Sequence, residues 1–173
     1  MPKKIAILVE NDYEDLELWY PLLRLIEEGY TPVVIGTGSD EVYHSKHGYE
    51  VKAELQISQA NAADFDGVII PGGWAPDRLR RYPPINDFVR ELFESKKLVA
   101  AICHGGSVLI SAGILKGKKV TGVIAIKDDL INAGARYKNE EVVVDNNIIT
   151  SRRPSDLPAF MREILRFLRK MGE

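Results

Sequence analysis

The sequence has a single cysteine and no long apolar stretch, and these two features limit the kinds of protein it can be. Cys103 is the only cysteine among 173 residues, so an internal disulfide is excluded. A chain without disulfides fits a reducing compartment, and we therefore expect a cytoplasmic location. No stretch approaches the ~18 apolar residues of a membrane span, so no membrane partner is expected. Residues 1–17 lack a small-residue cleavage site and predict a first strand, not a signal peptide.

The sequence also has no surplus of basic residues. Lys and Arg number 23 against 25 Asp and Glu, which gives a net charge of −2. Because a phosphate backbone is held by many cations, a nucleic-acid polymer is not an expected partner. The basic clusters at 78–81 and 162–170 are interpreted as solvated faces. With 45% hydrophobic and 28% charged residues, the composition is ordinary for a globular protein, and we expect one domain over residues 1–173.

Histidine is scarce as well, since only His44, His47 and His104 occur. A Cys-His-Glu amidotransferase triad needs a histidine after the last core strands, and none follows His104, so that class is excluded. His44 and His47 have no cysteine or carboxylate at metal-ligand spacing, so we expect surface residues and no metal. The G-x-G pattern at 36–38 follows the second strand and lacks a third glycine, which predicts a turn and no dinucleotide cofactor.

What the sequence does contain is a regular alternation of strand-like and helix-like segments. Short apolar runs predict core strands at 4–9, 31–35, 66–70, 98–102 and 119–124. Apolar residues at helical spacing predict helices at 16–26, 84–95, 108–112, 127–133 and 155–170, and alternation around turns predicts β-hairpins at 41–55 and 142–150. Strands that alternate with helices imply an α/β fold with a mostly parallel sheet covered on both faces. Right-handed crossovers favour the flavodoxin-like, doubly wound arrangement.

Cys103 lies where the buried strand 98–102 meets the following helix. N–H groups at a helix start favour a thiolate and can lower the pKa of a cysteine from about 8.5 to roughly 3.5–7.5. The segment thus predicts a nucleophile elbow, with Cys where related elbows carry Ser. The alternative is that Cys103 is a small buried apolar residue.

Two other unusual segments, 10–15 and 71–77, also follow core strands. Ligands bind at the carboxyl ends of the strands in such sheets, so we expect all three segments to meet there. The N–H groups of Gly72, Gly73 and His104 are candidates for an oxyanion hole, and the alternative is a Pro-Gly-Gly turn without a chemical role. The turn is expected to separate the side chain of His104 from that of Cys103.

Glu14 is the carboxylate predicted to lie beside the thiol. If buried there, it would carry a raised pKa and donate a hydrogen bond to the thiolate. Its alternative role is that of a helix cap. Asp12, Asp15 and Glu17 are the other candidates, with Glu17 and also Glu10 expected to be solvated.

At AICHG (101–105) the chain resembles the DJ-1/PfpI superfamily, and most closely its PfpI-type intracellular protease branch. The likeness covers nearly the whole chain, through Glu14-Asp15, PGGWAPDRLR from 71, LISAGIL from 109, IKDDLINAGA from 126, VVVDNNIITSR from 142 and PSDL from 154. It implies a three-layer fold of the class I glutamine amidotransferase-like type. It also implies Cys103 as nucleophile, Glu14 as buried acid and His104 as base or orienting neighbour, with Gly72, Gly73 and His104 as the oxyanion hole.

The same resemblance implies a homo-oligomer, with dimers that build hexameric rings. A Glu from a neighbouring subunit orients the histidine in such proteins, and Asp77, one methylene shorter, stands in that place here. Three more residues depart from the pattern: Trp74 for a common arginine, Gly106 for proline, and Val123 for an active-site tyrosine. Trp74 and Val123 are therefore expected to shape a substrate pocket unlike that of the relatives.

Both enzyme activities that the resemblance implies, peptidase and glyoxalase or deglycase, suit these residues. A crevice at a sheet edge favours a small carbonyl substrate over a threaded polypeptide. We therefore predict a cysteine-dependent hydrolase of small reactive carbonyls and their adducts, without a cofactor. The alternatives are a cysteine peptidase with an acyl-enzyme, and a redox-sensing stress protein or chaperone whose exposed thiol is oxidised.

Overall fold

The computed structural model describes residues 1–172, in which helices cover both faces of a central sheet. The strands are β1 (Lys4–Val9), β2 (Thr31–Gly36), β3 (Val42–His44), β4 (Glu50–Lys52), β5 (Leu55–Gln56), β6 (Gly67–Ile70), β7 (Leu98–Ile102), β8 (Lys119–Val120), β9 (Arg136–Tyr137), β10 (Val143–Asp145) and β11 (Ile148–Ser151). The helices are α1 (Asp15–Glu27), α2 (Ala75–Leu79), α3 (Pro83–Glu94), α4 (Gly106–Ala112), α5 (Lys127–Asn132) and α6 (Leu157–Lys170).

The central sheet has seven strands in the order β10-β11-β7-β6-β1-β2-β5. Its strand pairs are parallel, apart from the antiparallel edge pair of β10 and β11. Helices α1 and α6 pack on one face, and α2, α3 and α4 on the other. The strands β6 and β7 are buried along their whole length, which is why they form continuous apolar runs in the sequence. The predicted flavodoxin-like α/β fold is thus confirmed.

The strand predicted at 119–124 is too long. Only Lys119 and Val120 pair, in a two-stranded sheet of β8 and β9, and a 3₁₀ turn occupies Ile124–Ile126. The intervening N–H groups have other acceptors, because Thr121 donates to the side chain of Thr150 and Val123 donates to the carbonyl of Cys103. An apolar run alone does not reveal these long-range partners.

Two smaller predictions also need correction. The hairpin predicted at 41–55 is formed by β3 and β4 alone, and Leu55 instead joins the sheet edge beside β2. The sequence does not predict helix α2, which begins within the segment 71–77 that follows a core strand. None of the helices within residues 1–172 has the length and apolar character needed to cross a bilayer.

Helix α1 is confirmed, but its buried side differs from the apolar stripe that predicts it. The residues it buries are Glu17, Leu18, Pro21 and Leu25. By contrast, the apolar side chains of Leu16, Leu23 and Ile26 are exposed in the single chain. A carboxylate therefore lies on the inner side of this helix, close to the carboxyl edge of the sheet.

Candidate active site

Cys103 lies between a strand that is buried along its whole length and the helix that follows it. Strand β7 ends at Ile102, Cys103 opens a 3₁₀ turn, and α4 begins at Gly106. The backbone of Cys103 has φ 60°, a left-handed conformation that costs energy for a residue with a side chain. This sharp turn leaves the thiol half-buried at the carboxyl edge of the sheet, as the elbow prediction required.

The acid beside the thiol is Glu17. Its side chain is fully buried, and Oε1 accepts a hydrogen bond of 2.8 Å from the backbone N–H of Gly72. A Cβ atom placed on Gly72 would lie 2.6 Å from Glu17 Oε1 and 2.7 Å from Cys103 Cβ. Only glycine fits at this position, and the two side chains flank it. Within residues 1–172, the second carboxylate oxygen of Glu17 is buried without a hydrogen-bond partner.

Glu14, which the sequence placed beside the thiol, has the alternative role of a helix cap. Its Oε2 accepts a hydrogen bond of 3.0 Å from the N–H of Glu17 at the start of α1. Glu14 therefore positions Glu17, and its contact with Gly72 is made by its backbone N–H, which donates to the carbonyl of Gly72 at 3.2 Å. The expectation that Glu17 is solvated was wrong, because the inner side of α1 is the side that carries this carboxylate.

The remaining acidic candidates have structural partners. Asp12 pairs with Arg78, and Asp15 accepts hydrogen bonds from the side chains of Ser45 and His47. Glu10 was expected to be solvated and is buried instead, where its carboxylate accepts a hydrogen bond of 2.6 Å from the hydroxyl of Thr37. These contacts leave Glu17 as the acid that faces the nucleophile.

Burial shifts the ionisation of Glu17 strongly. Loss of solvent, followed by the negative charge of Glu14, raises its pKa to about 8, although the N–H of Gly72 and the charge of Lys46 act in the opposite direction. A carboxyl group with this pKa carries its proton at pH 7. Its O–H is then a hydrogen-bond donor in a site where a neighbouring thiolate needs one.

Burial also dominates the ionisation of Cys103. Loss of solvent and then the charge of Glu17 raise the pKa of the thiol to about 11, against hydrogen bonds from the N–H groups of His104 and Gly73. The predicted lowering of this pKa by the helix start was wrong, because burial outweighs the two amide donors. The repulsion from Glu17 acts only where that carboxyl is ionised, so the two protons are coupled.

His104 is closer to the thiol than expected. Its Nδ1 lies 3.5 Å from Cys103 Sγ, within reach of an S–H···N hydrogen bond, whereas the sequence predicted that the turn would separate the two side chains. Burial, and after it the positive charge of Lys46, lowers the pKa of His104 below its ordinary value. The imidazole is therefore neutral at pH 7 and able to accept a proton.

Of the three N–H groups predicted to form the oxyanion hole, that of Gly72 has a protein acceptor. The N–H of Gly72 is taken by Glu17, so it is not free for a substrate oxygen. The N–H groups of Gly73 and His104 instead favour the thiolate, since both lower the pKa of Cys103. Gly73 has φ 76°, a conformation that a residue without a side chain adopts readily.

A cation that sequence reasoning missed also acts on the site. Lys46 lies in the tip of the β3–β4 hairpin, and its backbone N–H donates to the carbonyl of Tyr13 at 3.0 Å. Tyr13 in turn bridges to Gly73, so the hairpin tip is tied to the loops around Cys103. The charge of Lys46 lowers the pKa of Glu17 and of Cys103. No spacing in the sequence indicates this docking of a distant hairpin.

The residues that depart from the family pattern lie around the same edge. The ring of Trp74 is 5.7 Å from that of His104, and Trp74 is largely exposed. Val123 donates its N–H to the carbonyl of Cys103 at 3.2 Å. Asp77 lies on α2 with its exposed carboxylate paired to Arg81 of the same chain. In this single chain Asp77 therefore has a partner other than His104.

Gly106, the fourth departure, opens α4. A Cβ atom there would lie 3.1 Å from a methyl group of Leu130, so a larger residue would need that side chain to move. The position is packed against Leu130 of α5. We assign it no chemical role.

One cluster brings metal-binding residue types together. Ligand atoms of Glu14, Asp15 and His47 lie within 4.8 Å of one another, although His47 has no such partner at short sequence spacing. His47 Nδ1 is 2.8 Å from Asp15, and Glu14 caps α1. His44 and His47 are exposed as predicted. Because protein groups satisfy the cluster, we assign no metal to it.

Comparison with known proteins gives a consistent result. The family model described as DJ-1/PfpI family matches residues 3–167. The chain is 48% identical to "Putative cysteine protease YraA" of Bacillus subtilis, over 98% of this chain and 100% of that protein. It is 47% identical to "Deglycase PfpI" of Pyrococcus furiosus, over 96% of this chain and 99% of that protein.

Solved structures agree with the sequence relatives. A two-domain protein of Anabaena variabilis, with DJ-1/ThiJ/PfpI-like and ferritin-like domains, matches with a TM-score of 0.94 and 48% identity over 96% of this chain. The chain spans about half of that protein, at 48% of its length. DJ-1beta of Drosophila melanogaster matches with a TM-score of 0.88 and 28% identity, over 95% of this chain and 89% of that one.

Proposed function

The chain belongs to the DJ-1/PfpI family, and on this premise we propose that it is a cysteine-dependent enzyme acting on small reactive carbonyls and their adducts, in the manner of a glyoxalase or deglycase. One observation carries the proposal. The thiol of Cys103 has Nδ1 of His104 at 3.5 Å, and the buried carboxyl of Glu17 lies across Gly72 from it. Together these groups can take and return protons around one carbonyl carbon.

The first step is addition of sulfur to an aldehyde. The thiol proton moves to His104 Nδ1, the sulfur forms a bond to the carbonyl carbon, and the electron pair of the C=O double bond moves onto oxygen. The N–H groups of Gly73 and His104 stabilise that oxyanion, and one such donor is worth ~2.7–4 kcal/mol where measured. Uptake of a proton then gives a hemithioacetal.

The second stage concerns a 2-oxoaldehyde such as methylglyoxal. A base removes the hydrogen from the carbon bound to sulfur, and a proton is returned to the neighbouring carbon, which converts the hemithioacetal into the thioester of a 2-hydroxy acid. Water then adds to the thioester carbonyl, the hydroxy acid leaves, and the sulfur regains its proton. If the aldehyde arrives as an adduct on an amine, sulfur replaces the amine, which leaves with a proton.

Peptide hydrolysis is the second candidate, favoured by the protease name of the Bacillus subtilis relative. The same thiol would attack a peptide carbonyl and form an acyl-enzyme. The cavity lined by Val123, whose N–H is bonded to the carbonyl of Cys103, has a volume of about 90 Å³, which suits a group of a few atoms better than peptide side chains. We therefore place the small carbonyl first.

The test compares methylglyoxal with denatured casein as substrates of the purified protein and of the Cys103→Ala variant, after thermal unfolding has shown that both are folded. We expect turnover of methylglyoxal that the variant lacks. Cleavage of casein alone would reverse the order of the two candidates. No turnover of either, together with stoichiometric oxidation of Cys103 by peroxide, would replace the proposal by a redox sensor.

We further propose the homo-oligomer that the family resemblance implies, with Asp77 of the partner subunit close to His104. In support, Asp77 is exposed and its ion pair with Arg81 is a surface contact of little strength. Dilution that dissociates the assembly, followed by size-exclusion chromatography, should abolish turnover. A fully active monomer would refute this arrangement.

A further inference from the structure

A small cavity adjoins the turn that carries the nucleophile. Its walls include Val123, Tyr137, Asn139, Arg152 and Arg153. The N–H of Val123 donates to the carbonyl of Cys103 at 3.2 Å, so one wall is bonded directly to the nucleophile residue. With a volume of about 90 Å³ it has room for roughly three water molecules, or for one group of three or four heavy atoms.

The two arginines of this cavity differ in what they are paired with. Arg152 donates from Nε to Asp156 at 2.9 Å and from Nη2 at 3.1 Å, and the carboxylate of Asp156 is buried. Its charge is therefore neutralised. Arg153 is exposed, and within residues 1–172 its side chain makes neither an ion pair nor a hydrogen bond. Because Asp156 neutralises Arg152, the positive charge that remains in the cavity is that of Arg153.

A second donor group faces no protein acceptor. Asn139 uses its Oδ1 to accept from Arg152 at 3.1 Å, so its amide N–H₂ is free of protein partners within the described chain. Tyr137 is fixed, because its hydroxyl donates to the carbonyl of Gly122 at 2.9 Å. The cavity thus combines a rigid aromatic wall, an apolar wall at Val123, and two kinds of free N–H donor. A planar monoanion with two oxygens matches this set.

We propose that the cavity is a subsite for a carboxylate group of the substrate, with Arg153 as the residue that selects it. The inference rests on the proposed function and names the class of substrate: a carbonyl compound, or its thiol or amine adduct, that carries a carboxylate a few bonds from the reacting carbon. Val123 lines the subsite and its N–H is bonded to the carbonyl of Cys103, so a carboxylate bound in the cavity would place the rest of the substrate along the turn that carries the nucleophile.

The turnover test uses two substrates that differ only in charge. The methylglyoxal hemithioacetals of N-acetylcysteine and of N-acetylcysteine amide have the same size, and only the former is an anion. We expect the native protein to prefer the acid in kcat/KM, and Arg153→Gln to reduce that preference about tenfold, as for loss of a hydrogen bond to a charged group. Arg162→Gln, the same change at an exposed arginine of α6, should leave the preference unchanged.

A second measurement does not depend on turnover. Iodoacetate and iodoacetamide both alkylate Cys103 with loss of iodide, and only iodoacetate is an anion. Arg153→Gln should lower the rate with iodoacetate relative to the rate with iodoacetamide about two- to fivefold, which is the range expected for an exposed charge pair. Arg162→Gln should leave this ratio unchanged. If neither adduct is turned over, the proposed function fails while this ratio still decides the subsite. An unchanged ratio, or an equal preference for acid and amide in the native protein, would overturn the inference.

Discussion

Replacement of Glu17 by glutamine should accelerate alkylation of Cys103 in alkaline solution and change it little near pH 7. The carboxyl of Glu17 has its pKa raised to about 8, so it is neutral at pH 7 and negative at pH 9.5. Where it is negative, it contributes to the raised pKa of the thiol. Glutamine keeps the size and an acceptor for the N–H of Gly72 but stays neutral at every pH.

The size of the effect follows from the distance between the two groups. A Cβ on Gly72 would touch both Glu17 Oε1, at 2.6 Å, and Cys103 Cβ, at 2.7 Å. The two charges are therefore separated by about 7 Å or less, and at an effective dielectric constant of ~20 their repulsion is about 2 kcal/mol. This corresponds to between about one and two pKa units of the thiol. Above pH 9 the variant should react more than about tenfold faster.

The assay is the second-order rate of iodoacetamide alkylation between pH 6 and pH 10, followed by mass spectrometry of intact protein. We expect the ratio of the Glu17→Gln rate to the native rate to be close to one at pH 6.5 and to rise through pH 8. Urea unfolding of both proteins at each pH confirms that folded protein is compared.

A matched control replaces the neighbouring carboxylate. The charge of Glu14 raises the pKa of Glu17, so Glu14→Gln lets Glu17 ionise at lower pH and should slow the reaction of the thiol already near pH 7. The two isosteric changes, three residues apart, thus have opposite expected effects. A ratio for Glu17→Gln that stays flat from pH 6 to pH 10 would refute the coupling of the two protons.

Three further outcomes are expected from the same contacts. Lys46→Met removes a charge that lowers the pKa of Glu17, so Glu17 should ionise at higher pH in this variant. In alkylation profiles, Lys46→Met should therefore fall behind the double variant Lys46→Met/Glu17→Gln at a higher pH than that at which the native protein falls behind Glu17→Gln. Gly72→Ala forces a Cβ to within 2.6 Å of Glu17 Oε1 and should lower the free energy of unfolding by about 1–3 kcal/mol in urea titrations. Asp156→Ala leaves the half-buried Arg152 without its partner and should cost about 3 kcal/mol, measured by thermal unfolding at pH 7.

The sequence predicts the fold well wherever a strand is buried on both faces. β6 and β7 lie inside the sheet, so an uninterrupted apolar run is their direct signature. The segment 119–124 has similar apolar character, but its backbone donors bond to Thr150 and to Cys103. Partners so far away in the chain leave no local periodic signal, and that is why the strand was predicted four residues too long.

The choice between Glu14 and Glu17 depends on a contact that local pattern does not encode. The apolar stripe of α1 includes Leu16 and Leu23, and both are exposed, so it indicates the helix but not its inner side. The burial of Glu17 follows from Gly72, 55 residues later, whose N–H binds its carboxylate. Glu17, Leu18, Pro21 and Leu25 are spaced so that they lie on one side of the helix. This second stripe is the sequence signal that could have indicated a buried Glu17.

The elbow argument from the sequence named the N–H groups of the helix start as donors to the thiolate and predicted the wrong direction for the pKa of Cys103. The N–H groups of Gly73 and His104 do lower the pKa of the thiol, but burial of the sulfur and the charge of Glu17 raise it. The two raising effects are the larger ones. A thiol in this position forms its anion more readily while its neighbour keeps a proton. Reactivity is therefore a property of the pair, because a carboxyl with its pKa near 8 is neutral at pH 7 and adds its repulsion to the thiolate only in alkaline solution.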